Sequence, residues 1–580
     1  MPSFTAASSK NPVWKPKGGT TLKEPFSAVI CCLNSQYIHS SLAPWCLLAG
    51  VKAYGEPGVS ARVTEGTVNE PAEAALERIL PLNPRAVAFC CYIWNIRRVL
   101  EIVRMVKSRL PGTTVILGGP EVSYRAAELL GSEPLVDFVL CGEGELPFAL
   151  LLNALQSGTG FEKIPGLCRR GENGISISEP YTPCDIPPSP YGEDYFSALN
   201  GRIAYLETSR GCPFSCAFCL SGRCGGVRFY PMERAKKELL LLANSGTQTV
   251  KLVDRTFNAN RERAKELFRF VIQNYGSAIP SGVCIHFEIA GDLLDEETLA
   301  LLAEAPKGAM QLEIGLQSFN RETLGSVCRK TNLDRLRQNI RRLVANGNMH
   351  IHIDLIAGLP KEDISSFGES FDTAYELKPQ MLQLGFLKLL YGAPMREQPE
   401  QYPCRFSPDP PYEVTETPWL SPRDLSLLHG CEDALDRLYN SGRFRRTLDY
   451  LRKVTGLRPF DLFCHFGEFT AAKGTAGISL DSYTAMVFDY FSSLPSVGSG
   501  ELRDALVCDR LAVNASGKLP AVLRIPGQNL KKALRQTLGE DAPKRGSALL
   551  CSRPALVHAD TSSRDPVTGE FQLIETEVRF

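Results

Sequence analysis

The residues best suited to chemistry are three thiols within eight positions, Cys212, Cys216 and Cys219, in ETSRGCPFSCAFCLSGRC at 207–224. A C-x3-C-x2-C spacing crowds three sulfur ligands onto one short loop, which suits a single metal or cluster. Iron–sulfur clusters are held by cysteine thiolates, usually four to a cubane. Three would leave one iron open to a small chelating molecule. The apolar run Ile203–Leu206 before the loop reads as a buried strand, so the thiols leave a strand's C-terminal end. Gly211 and Pro213 shape the turn, and Phe218 sets an aromatic ring beside the last thiol. Two other readings stand beside this one. Cys224 could close a four-cysteine zinc site, although zinc motifs usually pair two C-x2-C units and only one is present. The cysteines could also be unrelated structural residues.

The chain that must position this loop has 580 residues, enough for three or four domains of roughly 150 residues. Its 64 basic and 64 acidic residues cancel, so the composition points to neither nucleic acid nor an anionic membrane as partner. Nineteen cysteines are scattered, several inside apolar runs (Cys31, Cys32, Cys90, Cys91). That pattern favours reduced thiols and a cytoplasmic location over a disulfide framework. No apolar run is long enough to span a membrane. Residues 1–24 read as a loose tail.

Residues 25–165 alternate apolar strand-like runs with helical stretches, which predicts a doubly wound parallel sheet. Runs at 28–33, 86–91, 114–117 and 136–140 are the buried strands. Ligands on such sheets bind beyond the strand C-terminal ends. There lie Trp94 and Asn95, then Gly118, Gly119 and Glu121 in GGPE, then Gly142 and Glu143 in GEGE. Glycines at these ends let a bulky ligand approach the backbone, though either motif alone is ordinary turn chemistry. A proline-rich stretch over 166–200 reads as a linker.

Residues 201–410 repeat a strand–helix unit six times, with strands at 203–206, 249–253, 284–288, 310–315, 350–355 and 381–386. Six such units predict a partial barrel with its working face at the strand C-terminal ends. Each end carries polar residues, among them Asp254, Thr256 and Asn258, then Glu288 and Asp292, then Glu313, Gln317 and Ser318, then Asp354. His286, His350 and His352 read as core or surface histidines. Tyr391 reads equally well as a packed aromatic or as a residue of the open face.

The cysteine spacing with an aromatic before the third cysteine resembles the signature of the radical S-adenosylmethionine (SAM) superfamily. The runs FEIAGDLL, GLQSF, CRKT and DLIAGLPKED are similar to the barrel shared with oxygen-independent coproporphyrinogen oxidases. The GGPE and GEGE stretches resemble the cobalamin-binding domain that precedes the barrel in one branch of the superfamily. The resemblance implies a [4Fe-4S] cluster on Cys212, Cys216 and Cys219. It implies that Glu288, Gln317 and Arg329 hold SAM, with Asp354 near ribose, Phe218 at adenine and Asp254 near the methionine amine. It further implies cobalamin over Trp94, Asn95, Gly118, Gly119, Glu121, Gly142 and Glu143. The D-x-H-x-x-G motif that supplies histidine to cobalt elsewhere is absent. His39 has the wrong spacing for it and reads as a hydrogen-bonded loop histidine.

Residues 411–580 read as a mixed, mostly helical domain without a catalytic motif of its own. Its layout resembles an uncharacterised C-terminal domain of some cobalamin-type radical SAM proteins. The aromatic run Phe460–Gly467 is a candidate cap for the barrel mouth. SVGSGELRD reads as a turn and KLPAVLRIP as a strand. The expected function is reductive cleavage of SAM to a 5′-deoxyadenosyl radical, followed by methyl transfer to an unactivated carbon. The substrate would be a small molecule or peptide, and the electron donor a flavodoxin or ferredoxin. The alternatives are a cyclase or oxidase with the same radical start, and a non-enzymatic cobalamin or iron–sulfur sensor.

Overall fold

The computed structural model describes residues 25–578, apart from 182, 184, 515, 526–529 and 539–545; the expected tail at 1–24 lies outside the described residues. The first sheet holds β1 (Phe26–Asn34), β2 (Val59–Thr67), β3 (Ala86–Cys90), β4 (Thr114–Gly118), β5 (Phe138–Leu140), β6 (Leu167–Gly171) and β7 (Gly174–Ile177). Their order is 2-1-3-4-5-6-7. The first five pair in parallel, and β6 and β7 join antiparallel. The 2-1-3-4-5 order is that of doubly wound flavodoxin-like sheets, whose ligand crevice lies where the order reverses, here between β1 and β3. β1 reads as continuously apolar because it feeds two cores. Ala28, Ile30 and Cys32 face one, and Val29, Cys31 and Leu33 the other.

The stretch expected to be a linker, 166–200, is partly built into this sheet. β6 and β7 extend it, and a short helix, Glu193–Leu199, follows. Cys168 is fully buried opposite Val139, so the pairing carries core contacts as well as backbone hydrogen bonds.

The second sheet is the expected partial barrel. β8 (Ala204–Leu206) leads into a hairpin of β9 (Ser209–Cys212) and β10 (Gly226–Phe229), whose connection carries the cysteine loop. β11 (Thr249–Leu252), β12 (Cys284–Ile289), β13 (Met310–Gln317), β14 (His350–Ala357) and β15 (Met381–Phe386) then add in sequence, all parallel. On β13 buried and half-buried residues alternate, so Glu313, Gly315 and Gln317 share one face.

β16 (Arg405–Phe406) and β17 (Val414–Glu416) lead into a helical region that ends in an antiparallel sheet of β18 (Ser547–Leu549), β19 (Ala555–Arg564) and β20 (Phe571–Glu577). Helices Pro422–Leu435 and Pro459–Lys473 cross at two glycines. A Cβ on Gly467 would lie 2.2 Å from the Gly430 carbonyl oxygen, so only glycine permits that approach. The aromatic run expected to cap the barrel mouth does something else. Phe460 and Phe463 pack on Phe371 of the outer helix Ile364–Glu376, with ring centroids 5.6 and 5.8 Å apart, bracing the outside of the barrel. SVGSGELRD opens a helix, Ser499–Val513, and the described residues of KLPAVLRIP form a 3-10 turn, Ala521–Leu523, in place of the expected strand. No helix among the described residues is long and apolar enough to cross a membrane.

Candidate functional site

The cysteine loop is pinned from behind by Asp254 at the end of β11. Asp254 is buried and accepts from the backbone N–H groups of Thr208 and Ser209 and from the Thr208 hydroxyl. Burial pushes its carboxyl up to about 6, against those hydrogen bonds. Both oxygens are thus occupied by the loop's base. Asp254, expected near SAM's methionine amine, does not line the cavity beside the cysteines and instead holds the base of their loop.

The remaining expected residues do converge. Cys212, Cys216 and Cys219 line a cavity of about 220 Å³ together with Phe218, Glu288, Gln317, Arg329 and Asp354. Each thiol has a polar neighbour. Cys212 Sγ lies 3.4 Å from the Thr256 hydroxyl, Cys219 Sγ accepts from Ser221 N at 3.4 Å, and Cys216 Sγ accepts from Arg329 Nη1 at 3.7 Å. Burial raises the Cys216 thiol and the Arg329 charge opposes that rise. Among the described residues the three sulfurs do not form a group at single-ion spacing. A cubane spreads its ligands more widely than one ion does, so the donor set fits a cluster better than zinc. The Cys224 side chain lies outside the described residues.

Backbone strain marks this wall. Gln317 has φ of +74° at a bulge where β13 shifts register against β14. Side chains adopt such angles at a cost of order 1–3 kcal/mol, which tertiary contacts must offset. A Cβ at Gly315 would lie 2.6 Å from Gln317 Nε2, so Gly315 makes room for that side chain. Arg329 follows Cys328, which has φ of +57°, and donates to the Gly315 carbonyl. Its Nε is buried with no hydrogen-bond partner.

Beneath the cavity the carboxylates are tied together. Lys251 lies 3.2 Å from Glu288 and 2.9 Å from Glu313. His286 Nε2 is 2.9 Å from Glu313, and His352 Nε2 is 2.9 Å from Asp354. Burial alone would raise Glu313, yet His286 and Lys251 hold its carboxyl well below the usual range. Burial works against His352, while Asp354 and Glu313 together raise it. His286 and His352, read from sequence as bland, are therefore buried members of this network.

A second cavity, of about 500 Å³, lies between the C-terminal ends of the first sheet and the barrel. Trp94, Gly118, Gly119, Gly142 and Glu143 line it, as do His39, Tyr205, Glu207 and Arg210. Trp94 stacks flat on Tyr92, centroids 4.4 Å apart at 4°, and stays half exposed. Gly119 has φ of +114°, and a Cβ there would lie 2.4 Å from the Cys91 carbonyl. His39 is hydrogen-bonded, as expected, with Nδ1 2.7 Å from the Tyr205 hydroxyl. Burial lowers its pKa. Arg210 gathers Glu207, Glu143 and Glu145 across the domain junction, and Arg228 shares Glu143. Sequence reading missed Arg210, because a salt-bridge hub between segments 65 residues apart leaves no local pattern.

Two expected residues stand outside this cavity. Asn95 is fully buried, donates to the Leu33 and Cys90 carbonyls and accepts from Tyr92 N, so it fixes the turn after β3. Glu121 is buried against Arg125 at 2.8 Å and accepts from the Tyr412 hydroxyl at 2.5 Å. Tyr412 also meets Tyr391 edge-on at 5.3 Å, and Arg396 covers Tyr391 at 3.6 Å. Glu121 is thus an interdomain latch, and Tyr391 is a packed aromatic.

The two cavities meet at one side chain, Arg255, which lines both.

Comparison with known proteins agrees with this layout. Residues 206–374 match the model of the radical SAM superfamily, and residues 30–152 match that of the B12 binding domain. The chain carries a radical SAM domain preceded by a B12-binding domain. Residues 400–550 match a further model described as a protein of unknown function (DUF4080). The chain is 29% identical over 358 residues to the cobalamin-dependent radical SAM methyltransferase TokK of Streptomyces tokunonensis, covering 56% of this chain and 50% of TokK. It is 28% identical over 328 residues to the 2-(S-pantetheinyl)-carbapenam-3-carboxylate methyltransferase of Streptantibioticus cattleyicolor, covering 51% and 45%. The chain therefore spans about half the length of the curated relatives it matches. Among solved structures, the cobalamin-dependent SAM radical enzyme OxsB, with aqua-cobalamin and SAM bound, superposes with a TM-score of 0.58 at 14% identity. The match covers 84% of this chain and 79% of OxsB, and shares the fold.

Proposed function

We propose that this chain is a cobalamin-dependent radical SAM enzyme that cleaves SAM reductively and transfers a methyl group to an unactivated carbon. The observation that carries the reading is the convergence of three thiols with Glu288, Gln317, Arg329 and Asp354 on one cavity, which adjoins a larger one at the mouth of the B12-binding sheet. The names of the methyltransferases it resembles point the same way.

The residues fit the groups this reading requires. Cys212, Cys216 and Cys219 would hold the [4Fe-4S] cluster. Arg329, with its unpartnered Nε, suits a carboxylate, as the methionine end of SAM carries. Glu288 and Asp354 suit an ammonium or ribose hydroxyls. Phe218 offers an aromatic face to adenine. In the larger cavity the flat face of Trp94 and the bare backbone at Gly118 and Gly119 suit cobalamin. When bound, the cluster supplies the electron that cleaves SAM, and cobalamin carries the methyl group. The chain's own residues position and exclude. Asp254 fixes the base of the cysteine loop. Lys251 and His286 keep Glu313 ionised at neutral pH. The Glu121–Tyr412 latch holds the first sheet against the region after the barrel, keeping water from the junction.

A reductant of flavodoxin or ferredoxin type and a cytoplasmic location accompany the reading. The free state of the described cysteines is consistent with a reducing compartment. The test is anaerobic reconstitution with iron, sulfide, cobalamin and SAM. Formation of 5′-deoxyadenosine together with S-adenosylhomocysteine supports methyl transfer. 5′-Deoxyadenosine alone would favour a cyclase or oxidase, a class also found among the relatives as anaerobic magnesium-protoporphyrin IX monomethyl ester cyclases. Cys216→Ala should abolish the cluster's absorption and SAM cleavage together; retained cleavage would defeat the assignment.

A further inference from the structure

We infer that the substrate carries an anionic group, a carboxylate or phosphate, and that Arg255 receives it at the junction of the two cavities. The inference rests on the functional reading above and adds the substrate's chemistry to it.

The charged residues Glu143, Glu145 and Glu207 of the larger cavity are all paired with Arg210, and Arg228 shares Glu143, so none of them is without a partner. In the smaller cavity Glu288 and Glu313 share Lys251, and Asp354 faces His352. Arg329 donates to the Gly315 carbonyl and to Cys216, and its remaining Nε is the group assigned above to SAM's own carboxylate. Arg255 is the exception among the described residues. Its guanidinium is exposed and has no hydrogen bond, ion pair or ring contact, and the residue lines both cavities. Surface arginines without partners are common. This one belongs to the walls of two adjoining clefts, and the Thr256 hydroxyl donates to its backbone carbonyl. A substrate exchanging atoms with groups in both cavities must pass this point. An unpaired guanidinium with five donors in a planar fork there favours carboxylate or phosphate.

The probe is 3-phenylpropionate, with 3-phenylpropionamide as its neutral counterpart. Each is titrated by calorimetry into the full chain loaded with cluster, cobalamin and SAM. The carboxylate should bind at least fivefold more tightly than the amide. Arg255→Gln should remove that preference and Arg255→Lys should keep part of it, with cluster content and SAM affinity unchanged in both. Equal binding of the two probes to wild type, or no carboxylate binding, would overturn the inference. So would an undiminished preference in Arg255→Gln. A fall in SAM affinity or cluster content in that variant would reassign Arg255 to a cofactor and overturn it too. Failure of the functional reading is separate: it would appear as absent SAM cleavage, with the anion preference still measurable on the protein as purified.

Discussion

The two cavities are built on opposite electrostatic plans. The smaller one sets Glu288, Glu313, Asp354 and Arg329 among the thiols and a few apolar residues, and its carboxylates are held by Lys251 and two histidines lying behind the wall. The larger one gathers most of its charge around Arg210, which collects three carboxylates, and is otherwise lined mainly by apolar and aromatic residues. A small zwitterionic, cationic ligand such as SAM needs fixed charges in fixed places. A large flat macrocycle needs area and shape, because its binding comes mostly from removing apolar surface from water. The first cavity should therefore fail when one charge is removed, and the second only when surface is lost.

Removing one charge at the smaller cavity should have the largest effect. Lys251→Met leaves Glu288 without its partner, and Glu313 with His286 and the more distant His352. Both carboxylates are about three-quarters buried. Loss of one partner of such a set costs on the order of 2–4 kcal/mol, near the lower end of the range for buried pairs because of the residual exposure. The thermal midpoint should fall by several degrees and SAM affinity by at least tenfold, with cobalamin binding intact. An unchanged SAM affinity would remove the distinction drawn here.

Trp94→Ala tests the other plan. It takes away the flat face that stacks on Tyr92 and leaves every ion pair in place. Losing a large aromatic contact is worth about 1–3 kcal/mol. Cobalamin affinity should drop about tenfold or more while SAM affinity stays within twofold. Equal losses in both would mean that the two cavities are one site energetically.

How much of this was legible in the sequence follows from the range of each interaction. The cysteine loop, the six barrel strands and the doubly wound sheet declare themselves through local spacing and periodicity. The convergence of Glu288, Gln317, Arg329 and Asp354 follows from their place at strand ends. Asp254 and Asn95 lie at such ends too, yet both turn back on the backbone, since a carboxylate or amide next to unpaired N–H groups is taken by them first. β6 and β7 were hidden because a proline-rich context surrounds them. The Glu121–Tyr412 contact spans 291 positions and has no local trace. Arg255 went unnoticed for the converse reason: its significance lies in having no partner, which only the structure reveals.

The latch offers a smaller test that links the cavities. Tyr412→Phe removes one hydroxyl and leaves Glu121 with Arg125. A hydrogen bond to a charged group contributes about 1.5–3 kcal/mol. Burial raises the Glu121 pKa and the Tyr412 hydroxyl opposes that rise, so the variant should also ease protonation of Glu121. Protease cleavage near residues 400–412 should accelerate severalfold, with cobalamin affinity falling about threefold and SAM affinity unchanged. If cleavage does not accelerate, the contact is incidental.

The smallest effect on either cavity is expected at Glu362, which tests whether pH acts through the sites or through the scaffold. Glu362 is fully buried and accepts from the Ser318 hydroxyl at 2.6 Å and the Ser370 hydroxyl at 3.0 Å. It thus anchors the turn just after Gln317. Burial pushes its carboxyl up to about 7 from an ordinary 4.5, with the two serines pulling the other way. A carboxyl raised on folding contributes stability that is complete below the unfolded value and lost as pH climbs through the folded one. The wild type should therefore lose on the order of 2–3 kcal/mol from this group between about pH 5 and pH 8. Glu362→Gln keeps the acceptor and cannot ionise, so its thermal midpoint should fall less over that interval, while SAM and cobalamin affinities at pH 8 stay within twofold of wild type. Parallel pH profiles for the two proteins would place the titration elsewhere. A large loss of SAM affinity would show that the turn behind Gln317 belongs to the charged cavity and not to its scaffold.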